Sequence, residues 1–301
     1  MNADDLASSP RKYAKNLQVY TRIRECLAND GLMEPLERES LDLERISGGA
    51  NIQSLPLLIS YIADIAEMLP DMNFKLANEN LPNLVVITGK IINQKKRGQY
   101  KEGFYKPLSN QIYVPNINKK ALVYPQLLKA MATINVDTPD YRLVMNGYTC
   151  DFNDKTGEVI GVQGQGVRFG FQLNELYTSY LVAQRLNNAG QLPPDLIIVF
   201  DKLSYLLNGN DVKNYAGGNA FHMLDQLLTV FDIEILLEML QLFEIIYYYQ
   251  NKSNQIISMF NKDKVQTAIT ELNLIIDTAL LEKRAQEKAL KKPTTRKRCM
   301  I

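Results

Sequence analysis

The residues able to do chemistry in this chain are few, and one count constrains them all: 301 residues include a single histidine, His222. Histidine is the commonest metal ligand and the usual acid or base near neutral pH. The chain therefore cannot build a two-histidine zinc site of its own. Cys26, Cys150 and Cys299 are widely spaced and odd in number, which gives neither a disulfide framework nor a cysteine zinc site. Cys150 with His222 is the nucleophile–base pair to weigh. The two lie far apart in sequence, neither sits in a local signature, and both read as structural, with His222 packed or capping near a helix start. Glu234, Glu238 and Glu244 form no metal motif and read as the solvated face of an apolar helix. Gly161, Gly164, Gly166 and Gly170 precede a helix, but Phe169 stands where the third glycine of G-x-G-x-x-G belongs, and no Gly-Lys-Ser/Thr follows. They read as a loop rimming a cleft rather than a phosphate cradle.

Two further stretches carry more specific information. Leu173-Asn174-Glu175-Leu176-Tyr177-Thr178 opens an apolar helical pattern, and Pro125-Gln126-Leu127-Leu128-Lys129 lies some tens of residues before it. Upstream of both runs Tyr105-Lys106-Pro107-Leu108-Ser109-Asn110-Gln111-Ile112-Tyr113. This arrangement resembles bacterial zinc metallopeptidase-like proteins of the gluzincin type. In that group such a strand precedes a helix bearing H-E-x-x-H, and a second helix begins with a motif of the form L-N-E-x-Y-T. Two histidines at i and i+4 share a helix face and bind one Zn²⁺, the adjoining Glu activates the bound water, and a Glu from the second helix completes the ligands. The resemblance puts Pro125 at the first ligand, Gln126 at the general base and Lys129 at the second ligand. Proline offers no donor atom, a glutamine cannot take a proton, and an ammonium repels a metal. Only Glu175 keeps the type the pattern requires.

The resemblance thus implies a degenerate, non-catalytic relative without a metal or other cofactor. It also implies a contact. Ligands about 2 Å from one tetrahedral metal are roughly 3–4 Å from each other, so Lys129 and Glu175 are expected to form an ion pair in place of the metal, with Gln126 nearby.

These positions need elements to hold them. Helices are read at 11–28, 55–68 (stopping before Pro70), 119–134 capped by Asn118, from Phe171 onward, and at 195–207, 220–231, 233–249 and 264–290. Residues 34–45 read as a further helix or an ordered linker broken by Gly48-Gly49. Pro125 requires either a kink or a helix restarting there as its first turn. Strands are read at 84–92, 111–114, 141–145 and 158–162, with a hairpin or loop at 94–101 and a turn at 153–157.

The sequence therefore describes an α+β protein, mostly helical, with a small mixed sheet and a zincin-like helix pair in the middle. Its segments are an N-terminal helical part (1–75), the α+β core (76–190), a helical bundle packed on it (191–290) and a basic tail (291–301). A hydrophobic fraction of 46% and a charged fraction of 22% are those of a globular protein. Lys plus Arg (34) nearly equals Asp plus Glu (33), so no global field favours nucleic acid. Contact with nucleic acid or an anionic surface is confined to the tail, 291–298. Residues 1–10 show no secretory signal, and Glu234, Glu238 and Glu244 bar a membrane span in the most apolar segment, which points to the cytoplasm.

Tyr247-Tyr248-Tyr249 cannot all face one core, so at least one ring is expected to be exposed or at an interface, with Phe231, Leu236, Leu240 and Phe243 ready to bury a partner helix. The function this supports is a pseudo-metallopeptidase scaffold that binds or assembles proteins. The alternatives are a helical interaction protein that oligomerises through its C-terminal half, and an enzyme of unrecognised chemistry. No sequence feature sets the oligomeric state.

Overall fold

The structure is a computed structural model that describes residues 10–34, 37–49, 55–88, 103–185, 192–250 and 258–290. The basic tail, the 94–101 loop and the last residues of the 84–92 strand lie outside these. The architecture is α+β, with two small sheets and a helical C-terminal half.

The N-terminal helices follow their apolar periodicity. α1 (Pro10–Asn29) buries Leu17, Tyr20, Ile23 and Leu27. α2 (Leu43–Gly49) is preceded by an extended linker and ends on the Gly48-Gly49 pair. α3 (Leu55–Met68) stops ahead of Pro70 and buries Leu58, Tyr61, Ile62 and Ile65. A short helix that the apolar pattern did not show, α4 (Lys75–Asn80), follows.

The first sheet has the order β1-β3-β2, in which β3 (Gln111–Val114) is parallel to β1 (Val85–Thr88) and antiparallel to β2 (Phe104–Lys106). Val86, Ile112 and Val114 point into the core from one face. Next comes α5 (Lys120–Met131), which runs unbroken through Pro125, so the helix does not restart there. Proline in its second turn has no N–H to give the Ala121 carbonyl, the i−4 acceptor. Asn118 is not the cap: Lys119 holds that position without a side-chain bond, while the Asn118 N–H donates to Asn116 Oδ1 at 2.9 Å.

The helix also ends three residues short of 134. Thr133 and Ile134 belong instead to β4 (Thr133–Asp137), paired with Asn146 and Met145 of β5 (Tyr141–Asn146). β6 (Thr149–Asp154) and β7 (Gln165–Phe169) complete an antiparallel meander, β4-β5-β6-β7.

No strand forms at 158–162, because one carboxylate takes its backbone donors. Asp154 Oδ2 accepts the N–H groups of Val159 (2.8 Å) and Ile160 (2.9 Å), and its Oδ1 accepts those of Thr156 (3.0 Å) and Gly157 (2.8 Å). A β-branched run whose N–H groups are captured this way cannot extend a ladder.

The helical half comprises α6 (Phe171–Arg185), α7 (Pro194–Leu206), α8 (Asp211–Ala216), α9 (Ala220–Leu228), α10 (Ile233–Gln250) and α11 (Ser258–Leu290). α10 packs on α11, α6 and α1, α11 packs on α7, and α5 meets α6. Buried side chains from Leu17 to Leu280 join one contiguous core. Among the described residues no helix is long and apolar enough to cross a membrane.

Burial alone would raise the Asp154 carboxyl pKa, but the N–H groups of Ile160, Gly157 and Val159 and the Thr156 hydroxyl prevail and hold it below the usual range. Its stabilisation is therefore complete above the ordinary carboxylate pKa of about 4 and is lost as pH falls through the depressed folded value. Asp154→Ala should cost roughly 3 kcal/mol at neutral pH and flatten the acid limb of the stability profile. Urea titrations of both proteins between neutral and acid pH check this.

Candidate functional site

α5 and α6 bring the two sequence stretches together. Lys129, in the last turn of α5, donates from Nζ to both carboxylate oxygens of Glu175, at 2.9 and 3.0 Å. The lysine side chain is 9% exposed and the glutamate 22%, so the pair is largely out of water yet not sealed. The expected Lys129–Glu175 contact is thus present. The ammonium also sits at the carbonyl end of α5, where the helix dipole favours positive charge. Gln126, one turn earlier on the same face, is buried, and its Oε1 has no hydrogen-bond partner in the structure. Pro125 is half-buried.

Beneath the ion pair runs a buried polar network. The Lys129 backbone carbonyl accepts the Thr133 hydroxyl at 2.6 Å and the Asn146 amide. Asn146 Nδ2 also donates to Thr133 Oγ1 at 2.9 Å, and its Oδ1 accepts Asn174 Nδ2 at 3.2 Å. Asn174 Oδ1 takes the Tyr148 backbone N–H at 3.0 Å, while its carbonyl takes the Thr178 hydroxyl at 2.7 Å. Thr178 then meets the Tyr215 hydroxyl at 2.7 Å, and Tyr177 donates to Asp211 Oδ2 at 2.7 Å.

Each polar residue of the L-N-E-x-Y-T stretch therefore has a defined partner, and Leu173 fills the core. The β5–β6 turn permits this because Gly147 has φ 51° and any Cβ there would collide with Asn174 and Tyr215. Sequence reasoning missed Asn146, Thr133 and Tyr215, for burial of a polar residue is set by tertiary contacts. The Asn146-Gly147 turn dipeptide was the available signal.

A zinc ion does not fit these residues. The one carboxylate is engaged by an ammonium, the adjoining positions offer an amide and a proline, and among the described residues no group of three His, Cys, Asp or Glu could hold a metal.

The other candidates resolve into structure. His222 Nε2 lies 3.1 Å from the Met33 carbonyl, and the capping role belongs to Asn219, whose Oδ1 accepts the Phe221 N–H at 3.0 Å. His222 also lines a separate cleft of about 250 Å³ with Glu34, Arg38, Asp71 and Lys213. Cys150 is fully buried in β6, and burial, reinforced by Asp151, pushes its thiol far up, which disfavours the thiolate a nucleophile needs. Gly161 and Gly164 lie in the exposed β6–β7 connection. Gly170, at φ 64°, lets the chain pass against the Tyr148 carbonyl where no Cβ fits. Glu234 and Glu238 are exposed and Glu244 is half-buried.

Tyr247, Tyr248 and Tyr249 are all half-buried: Tyr247 meets Phe171 edge-on at 5.9 Å, Tyr248 meets Tyr249 at 5.2 Å, and Lys264 of α11 donates to Tyr249 Oη at 3.0 Å. Phe231, Leu236, Leu240 and Phe243 are likewise buried. The chain's own core therefore covers the four residues expected to bury a partner helix, while the three tyrosine rings keep partial exposure.

Comparison of the chain with protein-family models, curated proteins and solved structures finds no match in any of the three.

Removing one member of a largely buried pair strands the other, whereas removing both does not. Lys129→Met should destabilise the protein by roughly 2–4 kcal/mol, and Lys129→Met with Glu175→Leu should recover more than half of that. Chemical denaturation of the two single variants, the double variant and the wild type measures the coupling.

Proposed function

We propose that this chain is a zincin-like scaffold in which the Lys129 ammonium stands in the metal's place, serving as a protein-binding or assembly module rather than a hydrolase. The observation that carries this reading is the Lys129–Glu175 ion pair: a cation bound by both oxygens of the one retained ligand type, at the meeting of two helices. The order of elements supports it too, with β3, then α5 bearing the former ligand positions, then α6 bearing Glu175.

The chemistry left at the site argues for binding over turnover. Gln126 cannot act as a general base, and the lysine is engaged by the carboxylate beside it. Lys129→Ala would therefore open a polar hole without creating an acid–base pair. What persists is a rigid helix pair fixed by buried hydrogen bonds, with Glu175 reaching the surface. Such a scaffold suits recognition of another protein, because its shape is fixed before the partner arrives.

If the scaffold is that of a zincin, its site can be rebuilt. Pro125→His, Gln126→Glu and Lys129→His together should yield a folded protein that binds one zinc per chain with at least micromolar affinity, dependent on Glu175. Calorimetric zinc titration of this variant, with and without Glu175→Gln, is the test. A folded triple variant that takes up no zinc would refute the zincin reading.

A further inference from the structure

Most large apolar side chains in the helical half are covered, but two neighbouring helices leave a row of them in water. Leu274 and Leu281 of α11 are 69% and 66% exposed, and Ile198 and Tyr205 of α7 are 47% and 51% exposed. In both pairs the spacing is seven residues, two helical turns, so each pair forms a stripe along its helix.

The two stripes lie on one side of the molecule. α7 and α11 face each other through Lys202, whose Nζ donates to Asp277 and Asn273 at 2.9 Å. At 3.6 residues per turn, Leu274 and Leu281 lie about 40–60° round α11 from Asp277, on the side away from buried Ile276 and Leu280. Ile198 and Tyr205 lie about 40–60° round α7 from Lys202, away from buried Val199 and Leu203.

The helices run parallel. Asp195 contacts Gln266, Lys202 contacts Asn273, and the Tyr205 carbonyl accepts Lys283 Nζ. These contacts set offsets of 71 to 78 residues between the helices, and the offset of 76 that makes Ile198 level with Leu274 and Tyr205 with Leu281 falls within that range.

We propose that the chain self-associates as a two-fold dimer through this face of α7 and α11, the occupant being a second copy. A two-fold axis running along the helices, between α7 and α11, places each α7 over the partner's α11 at the same level. Ile198 then meets the partner's Leu274, and Tyr205 the partner's Leu281. At the centre, Lys202 meets the partner's Asp277, so the two in-chain ion pairs join in a ring of alternating sign. An axis across the helices would also pair the apolar rows, Ile198 with the second copy's Tyr205 and Leu274 with its Leu281, but it sets Lys202 against Lys202 and Asp277 against Asp277, so the charges select the axis along the helices. The interface is isologous, as two-fold symmetry requires.

Its size bounds its strength. α7 is 13 residues long, or about 20 Å, and two helices side by side span roughly 20 Å, giving ~400 Å² per copy. That is about half the standard interface, so the dimer belongs to the weak, transient class that dissociates on dilution. The inference is independent of the zincin reading and leaves the Lys129–Glu175 site untouched.

Sedimentation equilibrium of the full chain over ~1–200 μM is the first test. The weight-average mass should climb from 34.3 kDa toward twice that value, and Leu274→Asp with Leu281→Asp should hold it at the monomer with unchanged circular dichroism. Orientation is tested in a Cys26→Ser, Cys299→Ser background by mixing Ile198→Cys chains with Leu274→Cys chains under mild oxidation. Crosslinked mixed dimers should exceed either like pair at least several-fold. A wild type that stays monomeric throughout, a dimer that survives both aspartates, or a preference for like pairs would overturn the proposal.

Discussion

A lysine that is almost wholly buried must have its charge answered, and the middle of this protein is arranged around that requirement. An unpaired ammonium away from water costs several kcal/mol, so α5 is placed where Lys129 can reach Glu175 of α6. The same residue's backbone carbonyl receives Thr133 and Asn146, fixing the start of β4 and the end of β5 against the helix terminus. Asn146 in turn holds Asn174, the neighbour of Glu175. The two helices are thus tied at both ends of one lysine, and a slip of either along its axis breaks the ion pair and the amide chain together.

This arrangement explains why the second sheet lies between the two stretches in sequence. The four-stranded meander carries the chain from the end of α5 to the start of α6 and supplies the turn at Gly147 that admits Asn174. Its loops are stabilised locally: Asp154 gathers the backbone donors of the β6–β7 connection, and Gly170 clears the Tyr148 carbonyl just before α6 begins. The helical half then covers the far side of α6, where Tyr177 donates to the buried Asp211 and Tyr180 donates to Asp201 at 2.7 Å.

Elements whose apolar period is unmixed were legible in the sequence. α3 and β3 form at the residues read for them, and α1, α7 and α10 differ by a residue or two at their ends. Failures occur where a specific hydrogen bond overrides the local pattern. Ile134 extends the apolar helical period of α5, but the Thr133 hydroxyl bonded to the Lys129 carbonyl and the pairing with β5 turn the chain into a strand. Val159, Ile160 and Val162 have strand propensity, yet Asp154 claims the N–H groups of the first two.

The contact between Lys129 and Glu175 was expected only because the resemblance set both residues at ligand positions of one metal; neither charge nor their separation in sequence pairs them. The site was illegible at Asn146, Thr133 and Tyr215, whose burial depends on elements remote in sequence. In the tyrosine run, the contacts of Tyr247 with Phe171 and of Tyr249 with Lys264 were likewise illegible, because they too depend on elements remote in sequence or on helix packing.

The central claim is that the lysine, not a metal, joins Glu175 to α5. Native mass spectrometry of the wild-type chain after equilibration with excess zinc and removal of free metal tests it most directly. The account predicts the bare chain mass of 34.3 kDa, with no zinc adduct in either the wild type or Glu175→Gln. One zinc retained per chain, and lost on Glu175→Gln, would contradict it.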